Sequence, residues 1–482
     1  MPMRALPSAA VLALTVVAAC AVNPATGERE FSLMSESQEI AIGRESDAQV
    51  RQEMGIYDDP DLQRYVSDIG MRLAALSERP NLPWQFTVVD VPAVNAFAIP
   101  GGFIYITRGI LPFLANEAQL AGVLGHEIGH VTARHSAQQY SRAVGGTLGL
   151  AALGIFVPAA RPFGQISEQA LAVLFLKYGR DDELQADSLG ARYAASGGWD
   201  PAGVPAFLST LGRLDQAAGD RRGVPNWLST HPEPLSRVDE VGPLVAELKT
   251  GSGDFSADRA AFERQIDGLI FGDDPTQGVV RGSSFLHPEL RFQLDFPNQW
   301  QVSNSPQQVL AKAPDADVFM LLELVQRPQG GDVRSVALGQ MQMAGFRAVE
   351  GSATRIGNFD AFLGRYQGAI EGLGEVDIRA AHVDYDGRVY LIAGIVPSSG
   401  FARADATFQT AIRSFRALSA REAEEIRPNL VDFYTVRNGD TWQSIAARSG
   451  GAITPEALAV MNEADPGSTP ATGTRIKIVV GG

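Results

Sequence analysis

The chain is short of cysteine, of histidine and of positive charge. Its 482 residues include one Cys and six His, and 40 Lys and Arg are outnumbered by 55 Asp and Glu, which gives a net charge of −15. A single cysteine cannot form an internal disulfide or a multi-thiolate zinc or iron–sulfur site. Any metal must therefore be held by histidines and carboxylates. The negative charge leaves no broad cationic surface for phosphate backbones, which disfavours nucleic-acid binding.

The only cysteine, Cys20, follows a segment with the features of an export signal. Arg4 precedes an uncharged run at 9–19 that is too short to span a bilayer. A basic start, a brief apolar segment and small residues before a cut site are typical of a secretory signal. We therefore expect a signal peptide of lipoprotein type at 1–19.

The small residues before Cys20 resemble the bacterial lipobox, which implies that Cys20 is lipidated. A plain signal peptide with a spectator cysteine is the alternative. Ala21 is not the aspartate associated with inner-membrane retention. The resemblance therefore predicts a periplasmic protein held by a lipid anchor at the outer membrane.

The length of the chain and the changes in its hydrophobic pattern predict an α+β protein of several domains. A chain of 482 residues is too long for one ordinary core. Changes in hydrophobic periodicity predict a mostly helical domain with a small antiparallel sheet at 20–272, an α+β domain at 280–420 and a small domain at 432–480. Within the second domain, the segment 294–300 and the closing Ser414-Phe415 resemble a PsbP/Mog1-like fold.

The last domain carries the pattern Tyr434 to Trp442, followed by Asn462 and the strand Ile476-Lys477-Ile478. This pattern resembles a LysM module, a βααβ fold that binds N-acetylglucosamine polymers such as peptidoglycan. The order Thr-Trp-Gln-Ser at 441–444 departs from the usual Thr-Leu-Trp-Ser of that family. The resemblance implies peptidoglycan as a partner.

Two histidines four residues apart form the strongest motif, His126-Glu127-Ile128-Gly129-His130. Residues at this spacing lie on one helix face, a turn apart. Both imidazoles can therefore reach one ion at the roughly 2.0–2.1 Å of zinc–nitrogen bonds. Glu127 projects beside that ion and is placed to take a proton from a water held there. An ordinary helix is disfavoured because histidine is so scarce, so we predict one Zn²⁺ per chain.

A catalytic zinc site usually keeps three protein ligands and a water, so the two histidines leave it one ligand short. His135 lies five residues after His130, which turns it away from the ligand face, and we interpret it as a packing or supporting residue. Glu183 and Asp187 share a helix face, and Ala186 beside them allows another helix to approach closely. The same charges would also suit a solvated first helical turn. Spacing alone does not decide between these two readings.

Several motifs in one order resemble the gluzincin metallopeptidases, the family of HtpX, BepA and the CAAX prenyl protease. That family has His-Glu-x-x-His on one helix and Glu-x-x-Ala-Asp on a later one, here 126–130 and 183–187. The segments 95–102 and 229–232 also look like family blocks. The resemblance identifies 20–272 as a zinc metallopeptidase domain and points to the periplasmic BepA-like branch.

The resemblance implies a role for each remaining candidate. Glu183 becomes the third zinc ligand, with Asp187 and Arg237 as supporting residues, and Asp187 orients a ligand imidazole. His231 is brought near the metal, where it either stabilises the oxyanion of the reaction or occupies the open zinc position as a latch. The strand of Ala96, Phe97 and Ala98 pairs with an extended substrate backbone.

These inferences lead to a zinc-dependent endopeptidase of the bacterial cell envelope. Its substrates are expected to be unfolded or misassembled envelope proteins, because an edge strand pairs with any extended backbone. One alternative is a non-enzymatic chaperone or scaffold lipoprotein with a structural zinc. The other is a peptidoglycan-associated hydrolase, which is suggested only by the terminal module.

Overall fold

The computed structural model describes residues 20–27, 29–32, 34–139, 141, 178–218, 227–250, 254–328, 330–370 and 372–481. The signal peptide predicted at 1–19 lies outside these ranges. The chain divides into two compact units, the first formed by Met1–Gly272 with Asn429–Gly481 and the second by Asp273–Pro428. Helices and sheets occur in both, so the predicted α+β class is confirmed. No helix in the described ranges has the length and apolar character needed to cross a bilayer.

The first unit begins with a mainly helical segment that contains a two-stranded sheet and a three-stranded sheet. Its helices are α1 (Glu36–Met54), α2 (Pro60–Ala74), α3 (Glu117–Thr132), α4 (Arg180–Ser196), α5 (Gly203–Ala218), α6 (Trp227–Thr230), α7 (Pro234–Thr250) and α8 (Arg259–Ile266). Its strands are β1 (Cys20–Val22), β2 (Arg29–Phe31), β3 (Gln85–Val89), β4 (Ala96–Ile99), β5 (Phe103–Thr107) and β6 (Ile270–Phe271). Strands β1 and β2 form the two-stranded sheet.

The sheet of β3, β4 and β5 lies beside α3. Its strand order is β3-β5-β4, with β4 antiparallel to β5 and β3 parallel to it. Gly101 and Gly102 join β4 to β5 with φ angles of +87° and +97°, a region that only glycine adopts without strain. The antiparallel pair therefore follows from this turn, and β4 is left at the sheet edge.

Helix α3 begins where its sequence predicts a cap. The Asn116 side chain accepts a hydrogen bond from the Gln119 backbone nitrogen at 3.0 Å, which satisfies one of the unpaired donors of the first turn. Leu120, Val123 and Leu124 form a fully buried stripe in the main core of the unit. The cap and the stripe together fix where α3 starts and which face it turns inward.

The second unit is built on a seven-stranded antiparallel sheet with a helix on each face. Its elements are β7 (Val279–Arg281), β8 (Ser284–His287), β9 (Phe292–Asp295), β10 (Gln301–Asn304), β11 (Gln308–Lys312), β12 (Phe319–Val325), α9 (Val333–Met343), β13 (Arg347–Ile356), β14 (Phe359–Ile370), β15 (Gly374–Tyr385), β16 (Arg388–Pro397), α10 (Phe401–Arg413), β17 (Arg416–Ala417) and α11 (Ala420–Glu424). The large sheet has the order β10-β11-β12-β16-β15-β14-β13.

The chain then returns to the first unit as a small module, residues 429–481, which we call the terminal module. Its elements are β18 (Asn429–Thr435), α12 (Trp442–Ala446), α13 (Pro455–Met461) and β19 (Arg475–Val480). Strands β18 and β19 are antiparallel, and β18 also pairs with β6. The observed order is the βααβ order expected from the sequence.

Candidate metal centre

Helix α3 presents two imidazoles to one point. His126 and His130 are one turn apart, and their Nε2 atoms are 3.0 Å from each other. Both side chains are buried. Two nitrogen lone pairs this close repel unless a proton or a cation lies between them. The spacing predicted from the sequence therefore produces a pair of potential ligands on one face.

Helix α4 approaches α3 very closely, because small residues line both helices. A Cβ atom on Gly190 would lie 2.8 Å from the backbone nitrogen of His126, and a Cβ on Gly129 would lie 3.1 Å from the Cα of Ala186. No larger side chain fits between the two backbones. This contact brings the acidic face of α4 against the histidines of α3.

Four side chains meet at the resulting centre: His126, His130, Glu183 and His231, whose candidate ligand atoms all lie within 4.8 Å of one another. His130 Nε2 is 3.4 Å from Glu183 Oε1, and His231 Nδ1 is 2.8 Å from the same oxygen. A tetrahedral zinc with bonds of about 2.0–2.1 Å needs its ligand atoms about 3.3 Å apart. The four donors thus fit a zinc ion in number, chemical type and separation.

Asp187 and Arg237 hold the outer side of this centre. Asp187 Oδ1 is 2.9 Å from His126 Nδ1, and Arg237 donates to both oxygens of Asp187 at 2.8 and 2.6 Å. Arg237 also pairs with Glu183. The Asp187 carboxylate at that distance favours the tautomer of His126 that carries its proton on Nδ1, which leaves the Nε2 lone pair of that ring for a metal.

The two buried carboxylates of α4, Glu183 and Asp187, stay ionised despite their burial. Burial by itself would raise the pKa of Glu183, but His231, His130 and Arg237 outweigh it and hold this pKa well below its ordinary value. Burial opposes ionisation of Asp187 too, yet His126 and Arg237 lower its pKa. Glu183 is therefore available as an anionic ligand.

His130 is oriented by His135, whose helical spacing predicts that it points away from the ligand face. His130 Nδ1 lies 2.8 Å from His135 Nδ1, and His135 Nε2 lies 2.8 Å from Gln185 Oε1. Gln185 Oε1 can only accept, so His135 donates from Nε2 and must accept at Nδ1. His130 then donates from Nδ1. Its Nε2 is left unprotonated, which is the form that binds a metal, and burial lowers the pKa of this imidazole.

Glu127 lies among these ligands without a hydrogen bond from any described residue. It is fully buried, and both carboxylate oxygens are unpaired. Its Oε1 is 3.6 Å from His231 Nε2. Burial raises the pKa of Glu127 to about 8, against the lowering effect of His126. A cation in the centre would favour the ionised form.

Two aromatic rings that the sequence analysis did not identify cover the histidines. Tyr178 stacks on His130 with ring centroids 3.9 Å apart, and Trp227 stacks on His231 at 4.0 Å. Trp227 precedes His231 by four residues, so helical spacing could have linked them. Tyr178 had no such signal. The rings fix the imidazole planes and exclude water from one side of each.

The predicted substrate strand, β4, is the last strand on one side of its sheet in the described structure. Ala96, Phe97 and Ala98 are buried. The Val94 carbonyl just before β4 accepts a hydrogen bond from the Trp227 backbone nitrogen at 3.2 Å. The edge of β4 therefore starts beside the segment that carries His231. Cys20 is the first residue of β1.

Comparisons with known proteins agree with this geometry. Residues 60–244 match peptidase family M48, and residues 434–479 match the LysM domain. Over 234 residues the chain is 33% identical to a beta-barrel assembly-enhancing protease of Escherichia coli (strain K12), which covers 47% of each chain. It is 31% identical over 232 residues to the mitochondrial metalloendopeptidase OMA1 of Schizosaccharomyces pombe, covering 47% of this chain and 66% of that one.

The chain spans about half the length of the first curated relatives it matches, 47% for the Escherichia coli protein. Among solved structures, a cyanobacterial PsbP from Synechocystis is similar over 29% of this chain and 95% of its own length. The sequence identity there is 14% and the TM-score 0.25.

Gly190→Ala should separate α4 from α3, because the added Cβ would lie 2.8 Å from the His126 backbone nitrogen. We expect a loss of about 1–3 kcal/mol in the free energy of unfolding and zinc binding about tenfold weaker, measured by denaturant unfolding and chelator competition. The control is Gly339→Ala in α9, where a Cβ meets nothing within 4 Å. Wild-type zinc affinity in Gly190→Ala would contradict this account of the helix contact.

Proposed function

We propose that the protein is a zinc-dependent endopeptidase of the bacterial cell envelope. Residues 60–244 match peptidase family M48 and residues 434–479 match the LysM domain. The proposal rests on one observation: the ligand atoms of His126, His130 and Glu183 lie close together. Beside them lies the carboxylate of Glu127, which has no hydrogen-bond partner among the described residues. Three ligands with an adjacent general base are the set that peptide hydrolysis by zinc needs.

His126, His130 and Glu183 would hold the ion, which when bound polarises the scissile carbonyl and makes a water acidic enough to react at neutral pH. Glu127 takes the proton of that water on its carboxylate and later passes it to the departing amine. Both of its oxygens lack a competing hydrogen bond, so the proton has a free acceptor. Asp187 keeps His126 in the required tautomer throughout the reaction.

His231 supplies a fourth donor and so closes the centre. Its Nδ1 lies 3.3 Å from His126 Nε2 and 2.8 Å from Glu183 Oε1, inside the ligand group. A catalytic zinc site keeps one position open for water or substrate. Of the two roles left open by the sequence, this arrangement favours the latch: His231 holds the enzyme inactive and must withdraw before hydrolysis.

The substrate class follows from β4. A free strand edge binds an extended backbone by main-chain hydrogen bonds and reads few side chains. Unfolded or misassembled envelope proteins expose such backbones, and the name of the Escherichia coli relative, which refers to β-barrel assembly, agrees with this class. A folded protein would offer its backbone only in loops.

A lipid on Cys20 would hold the enzyme at the outer membrane after export. The support is the sequence before Cys20 and the LysM match, since peptidoglycan lies outside the cytoplasm. The terminal module would then add contact with peptidoglycan.

Glu127→Gln should keep the metal and lose the reaction, because the amide cannot accept the proton. We expect unchanged zinc content and casein cleavage reduced by at least about 10²–10⁴-fold. Glu247→Gln, an exposed position on α7, is the matched control. Undiminished cleavage by Glu127→Gln would refute the mechanism. Equal inactivity of wild type, Glu127→Gln and His231→Ala would favour a scaffold with a structural zinc.

His231→Ala should open the fourth position while His126, His130 and Glu183 keep the ion. We expect casein cleavage to increase with one zinc still bound per chain, measured by metal analysis of the assayed sample. If His231 instead stabilised the oxyanion, the same variant would lose about 10²–10³-fold in turnover. A decrease of that size would therefore reject the latch.

Cys20→Ala should release the protein from membranes, because the variant lacks the thiol that the lipid would modify. We expect the wild type in the membrane pellet and the variant in the supernatant after cell lysis, with intact masses that differ by the acyl chains. Recovery of both proteins in the supernatant, with unmodified masses, would contradict the anchor.

A further inference from the structure

The terminal module packs on the segment that leads into α3. Lys477, in β19, donates from Nζ to the carbonyls of Pro112 and Leu114, both at 2.6 Å. Its side chain is only 3% exposed. Pro112 lies in the 3₁₀ helix over 108–113, which ends just before the Asn116 cap of α3. The module thus binds the chain a few residues before the metal helix begins.

A buried lysine is an unusual residue for a docking surface. Side chains alternate along a strand, so Lys477 points to the opposite face from Ile476 and Ile478. Burial lowers the pKa of Lys477 to about 7, against the raising effect of Glu463 and Glu263. Docking alone would need only an apolar side chain. The ammonium group adds donors for carbonyls at a helix C-terminal end, where the helix dipole favours a cation.

Glu463 makes a second contact with α3. Its Oε1 accepts from Gln119 Nε2 at 2.7 Å, and Gln119 Oε1 accepts from the Ala115 backbone nitrogen at 2.9 Å. The Glu463 carbonyl accepts from Arg213 of α5 at 3.1 Å. Gln119 is buried and Glu463 is exposed, so this hydrogen bond is partly shielded from water. Glu463 therefore joins α13 to the first turn of α3 and to α5.

The backbone at Glu463 is strained where it makes these contacts. Its φ of +59° lies in the left-handed region, which favours glycine or asparagine just after a helix. Glutamate there costs free energy, and such a residue persists when its surroundings require it. Its side chain and its carbonyl each bond to a helix of the metal-binding segment, which accounts for a glutamate at this position.

Gln119 lies seven residues before His126 on the same helix, about 10 Å along its axis. A helix transmits a displacement of its first turn along its length, because its backbone bonds are continuous. Metal centres lose activity when their ligands move by as little as about 1 Å. The contacts of Lys477 and Glu463 can therefore affect the position of both α3 histidines.

We propose that the terminal module is a positioning element of the metal centre, which fixes the start of α3 through Glu463 and Lys477. The inference deepens the proposed function, because the centre it positions is the one assigned there to peptide hydrolysis. Glu463 and Lys477 are positioning residues, since neither belongs to the metal group. The module then contributes to catalysis whether or not it binds a glycan.

The test compares Glu463→Ala with Glu463→Gln in the full chain. Glutamine keeps the acceptor for Gln119 and alanine removes it. We expect Glu463→Ala to increase amide exchange at residues 120–124 of the metal-free protein about tenfold. We also expect a kcat about tenfold lower at unchanged KM and full zinc loading. Glu463→Gln should behave as wild type in both measurements.

Lys477→Met is the second variant, and Glu456→Ala, exposed on α13, is the control within the same module. Lys477→Met should change exchange and kcat in the same direction as Glu463→Ala, and the control should change neither. Wild-type exchange and kcat in Glu463→Ala, or equal losses in Glu463→Ala and Glu463→Gln, would overturn the proposal. An inactive wild type would contradict only the proposed function, because the exchange measurement would still decide this inference.

Discussion

The close contact of α3 with α4 is the interaction on which the rest of the centre depends. Gly129 on one helix and Ala186 and Gly190 on the other leave no room for side chains between the backbones. Only at that separation do Glu183 and Asp187 reach the histidines of α3. Replacing the small residues would not remove a single ligand, yet it would take the carboxylates out of range. The positions of the reactive side chains are thus set by small residues that have no reactive groups of their own.

The buried negative charges of the centre favour the binding of a cation. Glu127, Glu183 and Asp187 are buried together, and Arg237 is the buried guanidinium that pairs with two of them. Buried charges are costly unless they are compensated, and one guanidinium cannot compensate three carboxylates. Burial of Glu127 beside these groups raises its pKa, which reflects the cost of a further buried negative charge. A divalent cation would restore neutrality with all three carboxylates ionised.

Helical spacing predicts which side chains of the centre share a helix face, whereas the roles of Glu183 and His231 were implied only by the family resemblance. His126 with His130 and Glu183 with Asp187 are four apart within single helices, a local property that needs no tertiary information. The contact of His135 with His130 could not be predicted in this way. Helix α3 ends at Thr132 and Arg134 adopts a φ of +59°, so helical spacing no longer applies.

The docking of the terminal module could not be predicted either, because the LysM resemblance does not indicate what Lys477 contacts. Only the fold brings β19 against the carbonyls that precede α3. The three-stranded sheet shows the same limit. The Gly101-Gly102 turn predicts that β4 and β5 are antiparallel, but nothing local requires β3 to pair with β5 in parallel. Local patterns can therefore be predicted from this sequence, whereas long-range pairings cannot.

The latch proposed for His231 would set an energetic requirement for the substrate. Converting an enzyme that is 99% latched into one that is 99% open requires about 10⁴-fold preference for the open state, or about 5.5 kcal/mol. A main-chain hydrogen bond contributes about 0.5–1.5 kcal/mol net. Strand β4 has four residues, so its edge alone supplies at most a few such bonds. An extended segment must therefore add contacts beyond β4, which favours long unfolded backbones over short exposed loops.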